Sequence, residues 1–436
     1  MAHVDPLTEI GPEPPPRDPE PTHDPYAALR VRDYRLYLMT SILSTVGGEM
    51  QAVAVGWELY ERTRSALNLG FVGLALGLPF LLLALPGGQL ADRVSRGRII
   101  MAANGVLAMA SVGLAALSWA RGPIPLVYAC LMLAGAATAF SMPARWAFVP
   151  QLVPKAALTN AITWSSGGWQ VANVAGPAVG GLVIGLGRGA AWVYLIDVLC
   201  CLGVIATLLR IADRPPVPSG EALSRRSFLA GLGFVWRTRL LLATLTLDLF
   251  AVLLGGATAL LPIFARDILH VGPGGLGWLR AAPSAGAFAM ALILAHRPPL
   301  RRAGPALIWA VAGFGAATVV FGLSRGFGLS LAMLAVTGAL DNISVVVRAT
   351  LLQVLTPDAL RGRVSAVNGV FIGASNEFGG FESGMAAWLI GPVAAVVAGG
   401  IGSVVVVGAV ALVWPEVRRL GRLEQAGLDP VAEELA

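Results

Sequence analysis

The sequence is short of charge, of lysine and of cysteine, and each shortage excludes something. Only 13% of the 436 residues are Asp, Glu, Lys or Arg, while 56% are hydrophobic; a soluble domain carries about 25% charge. A chain of this length cannot hide so much apolar surface from water, and lipid is its natural solvent. Of the 31 basic residues a single one, Lys155, is a lysine. A phosphate-cradling loop needs Gly-Lys-Ser/Thr, whereas Lys155 follows Val153-Pro154, so no nucleotide-driven mechanism is expected. The one G-x-G-x-x-G spacing, Gly272 to Gly277, follows no strand and opens an apolar run, which suits a helix start and not a dinucleotide turn. Cys130, Cys200 and Cys201 lie inside apolar runs, and three thiols cannot close a disulfide framework. The four histidines, His3, His23, His270 and His296, are far apart. No metal, no cofactor and no enzymatic activity are expected.

What the sequence does have is long apolar runs. Residues 1–28 stand apart from them: eight are Pro, six are Asp or Glu and only Arg17 is basic. Such a segment buries too little surface to offset its ordering entropy and is expected to be disordered. It has neither the basic start nor the apolar stretch of a signal peptide. Twelve runs follow, over 35–60, 67–90, 98–119, 124–148, 159–185, 190–210, 240–264, 275–295, 304–323, 328–352, 365–389 and 393–414, each long enough to cross about 30 Å of hydrocarbon. The longest break, 211–238, contains Pro215, Pro216 and Pro218 and then Arg225 to Arg239. In it Phe228, Leu229, Leu232 and Val235 share a face at helical spacing, which predicts a short amphipathic helix on the membrane surface.

The basic residues orient these spans. Twenty-two fall in the tails and even-numbered loops, against six, Arg62, Arg64, Arg121, Arg188, Arg266 and Arg325, on the other side. Basic loops stay in the cytoplasm, so both termini are expected there, in an inner (plasma) membrane. Basic charge spread over such loops describes topology and not a nucleic-acid surface. An internal repeat is also present. Leu90-Ala91-Asp92-Arg93 is echoed by Leu294-Ala295-His296-Arg297 at an offset of 204; Arg145, Gln151 and Pro154 are echoed by Arg348, Gln353 and Pro357 at offsets of 203, 202 and 203. Two landmarks with one offset predict two six-helix halves of like topology. The organisation expected is a tail over 1–28, a first half over 29–210, a linker over 211–238, a second half over 239–414 and a C-terminal tail over 415–436.

The stretch Gly88-Gln89-Leu90-Ala91-Asp92-Arg93-Val94-Ser95-Arg96-Gly97-Arg98 resembles the loop 2–3 signature of the major facilitator superfamily, with Ser95 and Gly97 departing from it. Gly176-Pro177-Ala178-Val179-Gly180-Gly181 is similar to the core of that superfamily's antiporter motif, although Thr163 and Ala172 replace its upstream glycines. Pro143-Ala144-Arg145, Leu260-Leu261-Pro262-Ile263-Phe264-Ala265, Arg361-Gly362-Arg363-Val364-Ser365-Ala366-Val367-Asn368 and Phe371-Ile372-Gly373-Ala374-Ser375-Asn376-Glu377-Phe378-Gly379 resemble the branch of enterobactin exporters and macrolide-efflux proteins. The resemblance covers residues 33 to 415. It implies an all-α membrane protein with twelve transmembrane helices in two pseudo-symmetric halves, acting as a monomeric proton-driven exporter that rocks around a central cavity. Spans 3, 6, 9 and 12 would lie outside and the others would line the cavity. The substrate implied is a bulky amphipathic small molecule, a siderophore or a drug-like compound.

Carboxylates at membrane depth are the candidates for the work, because burying one costs about 2.5–3.5 kcal/mol on insertion scales. Glu49, Asp248, Asp341, Glu377 and Glu382 all fall on spans expected to line the cavity. A carboxyl shielded from water takes up and releases protons near neutral pH, which is what proton exchange requires. The alternative for each is a static ion pair. Arg348, two turns beyond Asp341 and about 10.5 Å along the helix, is the partner to weigh. Asp197, on an outer span, reads as a local hydrogen-bonding residue. Arg280 is placed either against an anionic substrate or snorkelling at the outer interface, and Trp164 and Trp169 either stack on a ligand or pack between helices. Gly88, Asp92, Arg93, Arg96, Arg145, Arg348 and Arg361 form the expected cytoplasmic latch, with Asp92 at the N-terminus of span 11. Gly176, Pro177 and Gly180 are expected to shape span 5. Two other readings stay open: an importer or uncoupled facilitator of the same fold, and a transport-inactive sensor signalling through its acidic tail.

Overall fold

In hydrocarbon every backbone amide and carbonyl must be satisfied within its own segment, which leaves the helix as the economical solution for apolar runs of this length. The computed structural model describes residues 24–212, 225–298 and 301–421, and among them no strand occurs. The helices are α1 (Arg32–Thr63), α2 (Ala66–Arg93), α3 (Arg96–Trp119), α4 (Ile124–Leu152), α5 (Leu158–Val183), α6 (Ala190–Leu208), α7 (Arg225–Arg237), α8 (Arg239–Leu254), α9 (Leu261–Ile263), α10 (Gly272–Ala295), α11 (Ala303–Leu323), α12 (Phe327–Leu355), α13 (Asp358–Ile390), α14 (Pro392–Val413) and α15 (Pro415–Arg419). Local chemistry sets several ends. Ser65 caps α2 by accepting from the Asn68 amide at 3.4 Å, and Gly391, at φ 87°, makes the left-handed turn between α13 and α14 that a side chain would oppose.

Among the described residues ten helical segments are long and apolar enough to cross a membrane, where the sequence predicts twelve. The two long helices outside that set are α1 and α13. Both are diluted by polar residues, Glu49, Gln51, Glu58 and Glu61 in one and Asn368, Asn376, Glu377 and Glu382 in the other. The run 240–264 is also not one regular helix. At Gly255-Gly256 α8 stops, a 3-10 turn follows over Ala257–Leu260, and α9 runs into a π turn over Phe264–Ile268.

Two sets of helices pack by the same scheme. α1 lies on α5 and α6, α2 on α4, and α3 on α4 and α6; in the second set α8 lies on α13 and α14, α10 on α12, and α11 on α12 and α14. The sets meet along α2–α13 and α5–α10. One end of the bundle, the basic end, carries Arg98, Lys155, Arg239 and Arg297; the other is the far end. The core differs between them. Toward the far end a single cluster runs through both sets, from Met50, Trp57 and Leu69 to Leu260, Phe264, Leu276 and Phe321. Toward the basic end there are two cores, one around Tyr34, Ile100, Phe148 and Leu208 and the other around Leu241, Leu307, Val347 and Val364. Glycines bring the sets together on the far side. A Cβ at Gly384 would sit 2.5 Å from the Gly70 Cα, and one at Gly181 2.8 Å from the Gly277 Cα. The bundle is therefore closed at the far end and cleft at the basic end.

The first described residues depart from the expected disordered tail. Asp24 to Arg30 form a turn and a 3-10 helix held on α5: Asn160 donates to the Pro25 carbonyl at 2.6 Å and accepts from the Ala28 amide at 3.0 Å, and the Trp164 indole donates to the same carbonyl at 3.0 Å. The rest of the expected tail, residues 1–23, lies outside the described residues, as do 213–224 of the linker and 422–436 of the C-terminal tail. The second part of the linker is the helix α7. Its face differs from the expected one, since Phe228, Leu232 and Val235 turn into the core while Leu229 is exposed.

Candidate substrate and coupling site

Where the sets meet, three charged side chains converge. Glu49 of α1 faces Arg280 of α10, with Oε2 3.8 Å from Nε and both side chains about one-third exposed; Glu377 of α13 lies within electrostatic reach of both. Small residues make room for them. A Cβ at Gly176 of α5 would stand 2.6 Å from the Glu49 Cβ, and Gly73 and Gly77 of α2 pack directly on the Glu377 backbone and side chain. Arg280 thus points inward rather than snorkelling at an interface. With two carboxylates and one guanidinium the cluster has negative charge to spare, which a proton or a cationic group on a ligand neutralises. Glu382, five residues on, has the Ser383 hydroxyl at 3.5 Å, and Ser383 abuts Gly256 at the break after α8.

A polar stripe leads to this cluster. Thr159, Thr163, Ser166, Gln170 and Asn173 recur at helical spacing along α5, in line with Pro177 and Gly181, which touch α10 at the far end. Toward the basic end Thr159, Thr163 and Ser166 are exposed, as is Asn376 of α13. Trp169 is 58% exposed, whereas Trp164 belongs to the strap at Pro25 and lies 6.0 Å from the Tyr26 ring.

Other charged side chains are buried within each set. Arg348 of α12 forms an ion pair with Asp248 of α8, at 4% and 7% exposure. The partner of Arg348 is thus Asp248 on a neighbouring helix and not Asp341, the one weighed from the sequence, and Arg348, expected in the cytoplasmic latch, is buried in this pair. A side chain crossing to the neighbouring helix travels less far than one reaching two turns along its own. Asp341 instead lines a narrow crevice with Asp248, Ser344 and Phe314. At the matching place in the first set Arg145 donates to the Ser44 hydroxyl at 3.2 Å; Ser44 and Asp248 are 204 residues apart. Asp197 accepts from Ser111 at 2.6 Å, and Ser111 accepts from Gln51 at 2.8 Å, tying α6, α3 and α1 together.

Of the other expected latch residues, Gly88 is buried and Arg93 exposed. Arg96 donates to the Ala147 carbonyl at 2.7 Å and has Asp92 beside it, while Arg361 pairs with Asp358 on its own helix at 2.6 Å. Gly176 and Gly180 fit α5 against Val46, Glu49 and Met50 of α1, and Pro177 meets Gly277 of α10. Sequence reasoning missed the clasp at the far end. There Asp267 accepts from the Tyr60 hydroxyl and pairs with Arg64 at 3.3 Å. Arg266 pairs with Glu61 at 3.3 Å and stands 5.6 Å over the Trp57 ring. The available signal was charge sign: Glu61-Arg62-Thr63-Arg64 and Arg266-Asp267 are mixed pairs at the ends of two spans. Gly322-Leu323-Ser324-Arg325-Gly326 has the spacing of a nucleophile elbow, but it joins two helices, and Ser324 bonds to Gly326 and Ser330.

Comparison with known proteins gives three findings. The model of a family described as transmembrane secretion effector, of the major facilitator type, matches residues 23–435. The enterobactin exporter EntS of Shigella boydii serotype 18 is 27% identical over 393 residues, 88% of this chain and 92% of that protein, and EntS of Escherichia coli O139:H28 is similar to the same extent. Among solved structures, a bacterial homologue of the human lysosomal transporter Spinster, inward-facing and occupied, aligns with a TM-score of 0.68 at 15% identity over 89% of this chain and 98% of that one. A bacterial homologue of the iron transporter ferroportin in an inward-facing state aligns with a TM-score of 0.68 at 14% identity, over 89% and 99%. These structural likenesses show the fold.

Proposed function

Since the chain belongs to the transmembrane secretion effector family of the major facilitator superfamily, and is thus a multi-pass membrane transporter, we propose that it exports a bulky amphipathic small molecule of the siderophore or drug type across the inner membrane, exchanging it for protons. The observation that carries the proposal is the convergence of Glu49, Arg280 and Glu377 from both helix sets at the head of a cleft that is open at one end. The likeness to EntS supports export of a siderophore-like substrate.

In this reading α1 and α13 are spans eleven and twelve to be counted, polar because they line the cavity, and the two sets are the two halves of the transporter. The repeated packing scheme supports that. The basic end is cytoplasmic, so the cleft faces the cytoplasm. Substrate enters between the halves and displaces protons from the carboxylate cluster. The halves then rock to open the far end, where protons reload the acids as substrate leaves. Asp92, Arg93 and Arg96 belong to the contacts made when the basic end closes.

The test uses purified protein in liposomes with a pH gradient and a catecholate siderophore as probe. Wild-type protein moves the probe against protons, and Glu377→Gln removes probe-dependent proton flux while the probe still binds. Unchanged flux in Glu377→Gln, Glu49→Gln, Asp248→Asn, Asp341→Asn and Glu382→Gln, each alone, would contradict proton exchange through these acids.

A further inference from the structure

At the basic end of the second set several helix ends are joined into one surface. Val235 of α7, Leu241 of α8, Ala303 of α11 and Val417 of α15 share a buried cluster. The Ala303 and Gly304 amides donate to the Gly421 and Leu420 carbonyls at 3.0 and 3.1 Å, and Arg239 reaches Glu416 at 3.6 Å. α7 is clamped to the start of α13, because a Cβ at Gly231 would stand 2.8 Å from the Arg363 carbonyl oxygen.

One face of α7 makes these contacts, and the adjoining face does not. Leu229 and Trp236, seven residues apart and so on one line of the helix, are 53% and 71% exposed. The same end of the second set carries Arg237, Arg239, Arg301, Arg302, Arg418 and Arg419, all exposed. Glu416 is the one acid in stretches 229–242, 301–308 and 414–421. Open water accounts for the arginines but not for the bare tryptophan, and hydrocarbon accounts for the tryptophan but not for the arginines. The headgroup layer suits both: indole rings settle there, and guanidinium groups take phosphate oxygens in pairs.

We propose that this surface binds anionic phospholipid from the surrounding leaflet, anchoring α7 and, through Gly231, the start of α13 to the headgroups. It lies apart from the carboxylate cluster, and it rests on the bundle spanning the bilayer with this end at a headgroup layer, not on what is transported.

Electron spin resonance with spin-labelled phosphatidylglycerol and phosphatidylcholine, on full-length protein in bilayers, tests it. Wild-type protein is expected to enrich the phosphatidylglycerol label severalfold over phosphatidylcholine. The quadruple variant R301Q/R302Q/R418Q/R419Q loses most of that preference, and R30Q/R32Q/R35Q on the first set retains it. Single variants R302Q and R418Q give partial losses and carry the test should the quadruple variant fail to reach the membrane. Equal association of the two lipids with wild type, full preference in the patch variants, or an equal loss in the control variant would overturn the proposal.

Discussion

Arg145 and Arg348 hold matching places in the two helix sets but work with different partners, a hydroxyl in one case and a carboxylate in the other. The difference has an energetic consequence. Asp248→Asn leaves the Arg348 guanidinium buried without its counter-charge, and breaking such a pair costs roughly 3–5 kcal/mol. Thermal unfolding in detergent should report that loss. The double replacement Asp248→Leu with Arg348→Met should recover most of it, since two apolar side chains bury nothing unpaired. Equal destabilisation by the single and double variants would show that the two residues are not a unit. The acids themselves were legible in the sequence, because each interrupts an apolar run and every interruption needs a reason. Their partners were not. Pairing depends on how neighbouring helices are rotated, so the sequence offered Asp341 only as a partner to weigh for Arg348, and the neighbouring helix supplied Asp248.

Along whole elements, α5 joins most of the molecule's features. Its first turns hold the strap at Pro25, its middle carries the polar stripe, and its last turns pack Gly176 and Gly180 on α1 and Gly181 on α10. Gly181→Leu should therefore prise α5 from α10, because a Cβ there already meets the Pro273 carbonyl oxygen at 2.5 Å. Labelling of a cysteine at position 276, where Leu276 is buried in the far-end cluster, by an impermeant reagent should rise about tenfold, a shift of about 1.4 kcal/mol in the conformational balance; unchanged labelling would show that this contact does not hold the far end shut. The strap makes a separate prediction. Removing residues 1–23 should leave transport intact, whereas Asn160→Ala, which removes one of the two donors to the Pro25 carbonyl and the acceptor of the Ala28 amide, should expose the chain near residue 26 to protease. Loss of transport on removing 1–23 would favour signalling through the tail. Most spans could be read from apolar length alone. The break after α8 could not, although Gly255-Gly256 marked it, because hydropathy does not distinguish a straight helix from an interrupted one. The face of α7 was misjudged for a related reason. Its apolar residues cover more than one side, and only packing on α13 decides which of them turn inward.

For the molecule as a whole, the division of the core carries the functional account: one cluster crosses both helix sets at the far end, and two separate clusters remain at the basic end. The offset of about 204 between repeated residues and the excess of arginine at one end are legible in the residues alone, and they agree with the packing scheme. Which end stands open is not, since that lies in glycine contacts and a clasp of mixed charges between residues far apart in the chain. Distances between spin labels settle whether the halves rock. With the three cysteines replaced, one label pair is placed at the far end, on positions 65 and 270, and another at the basic end, on positions 155 and 297. Substrate at alkaline pH, which leaves the carboxylates unprotonated, is expected to lengthen the first distance and shorten the second in the same molecules. Distances that stay fixed, or that lengthen at both ends together, would contradict the account.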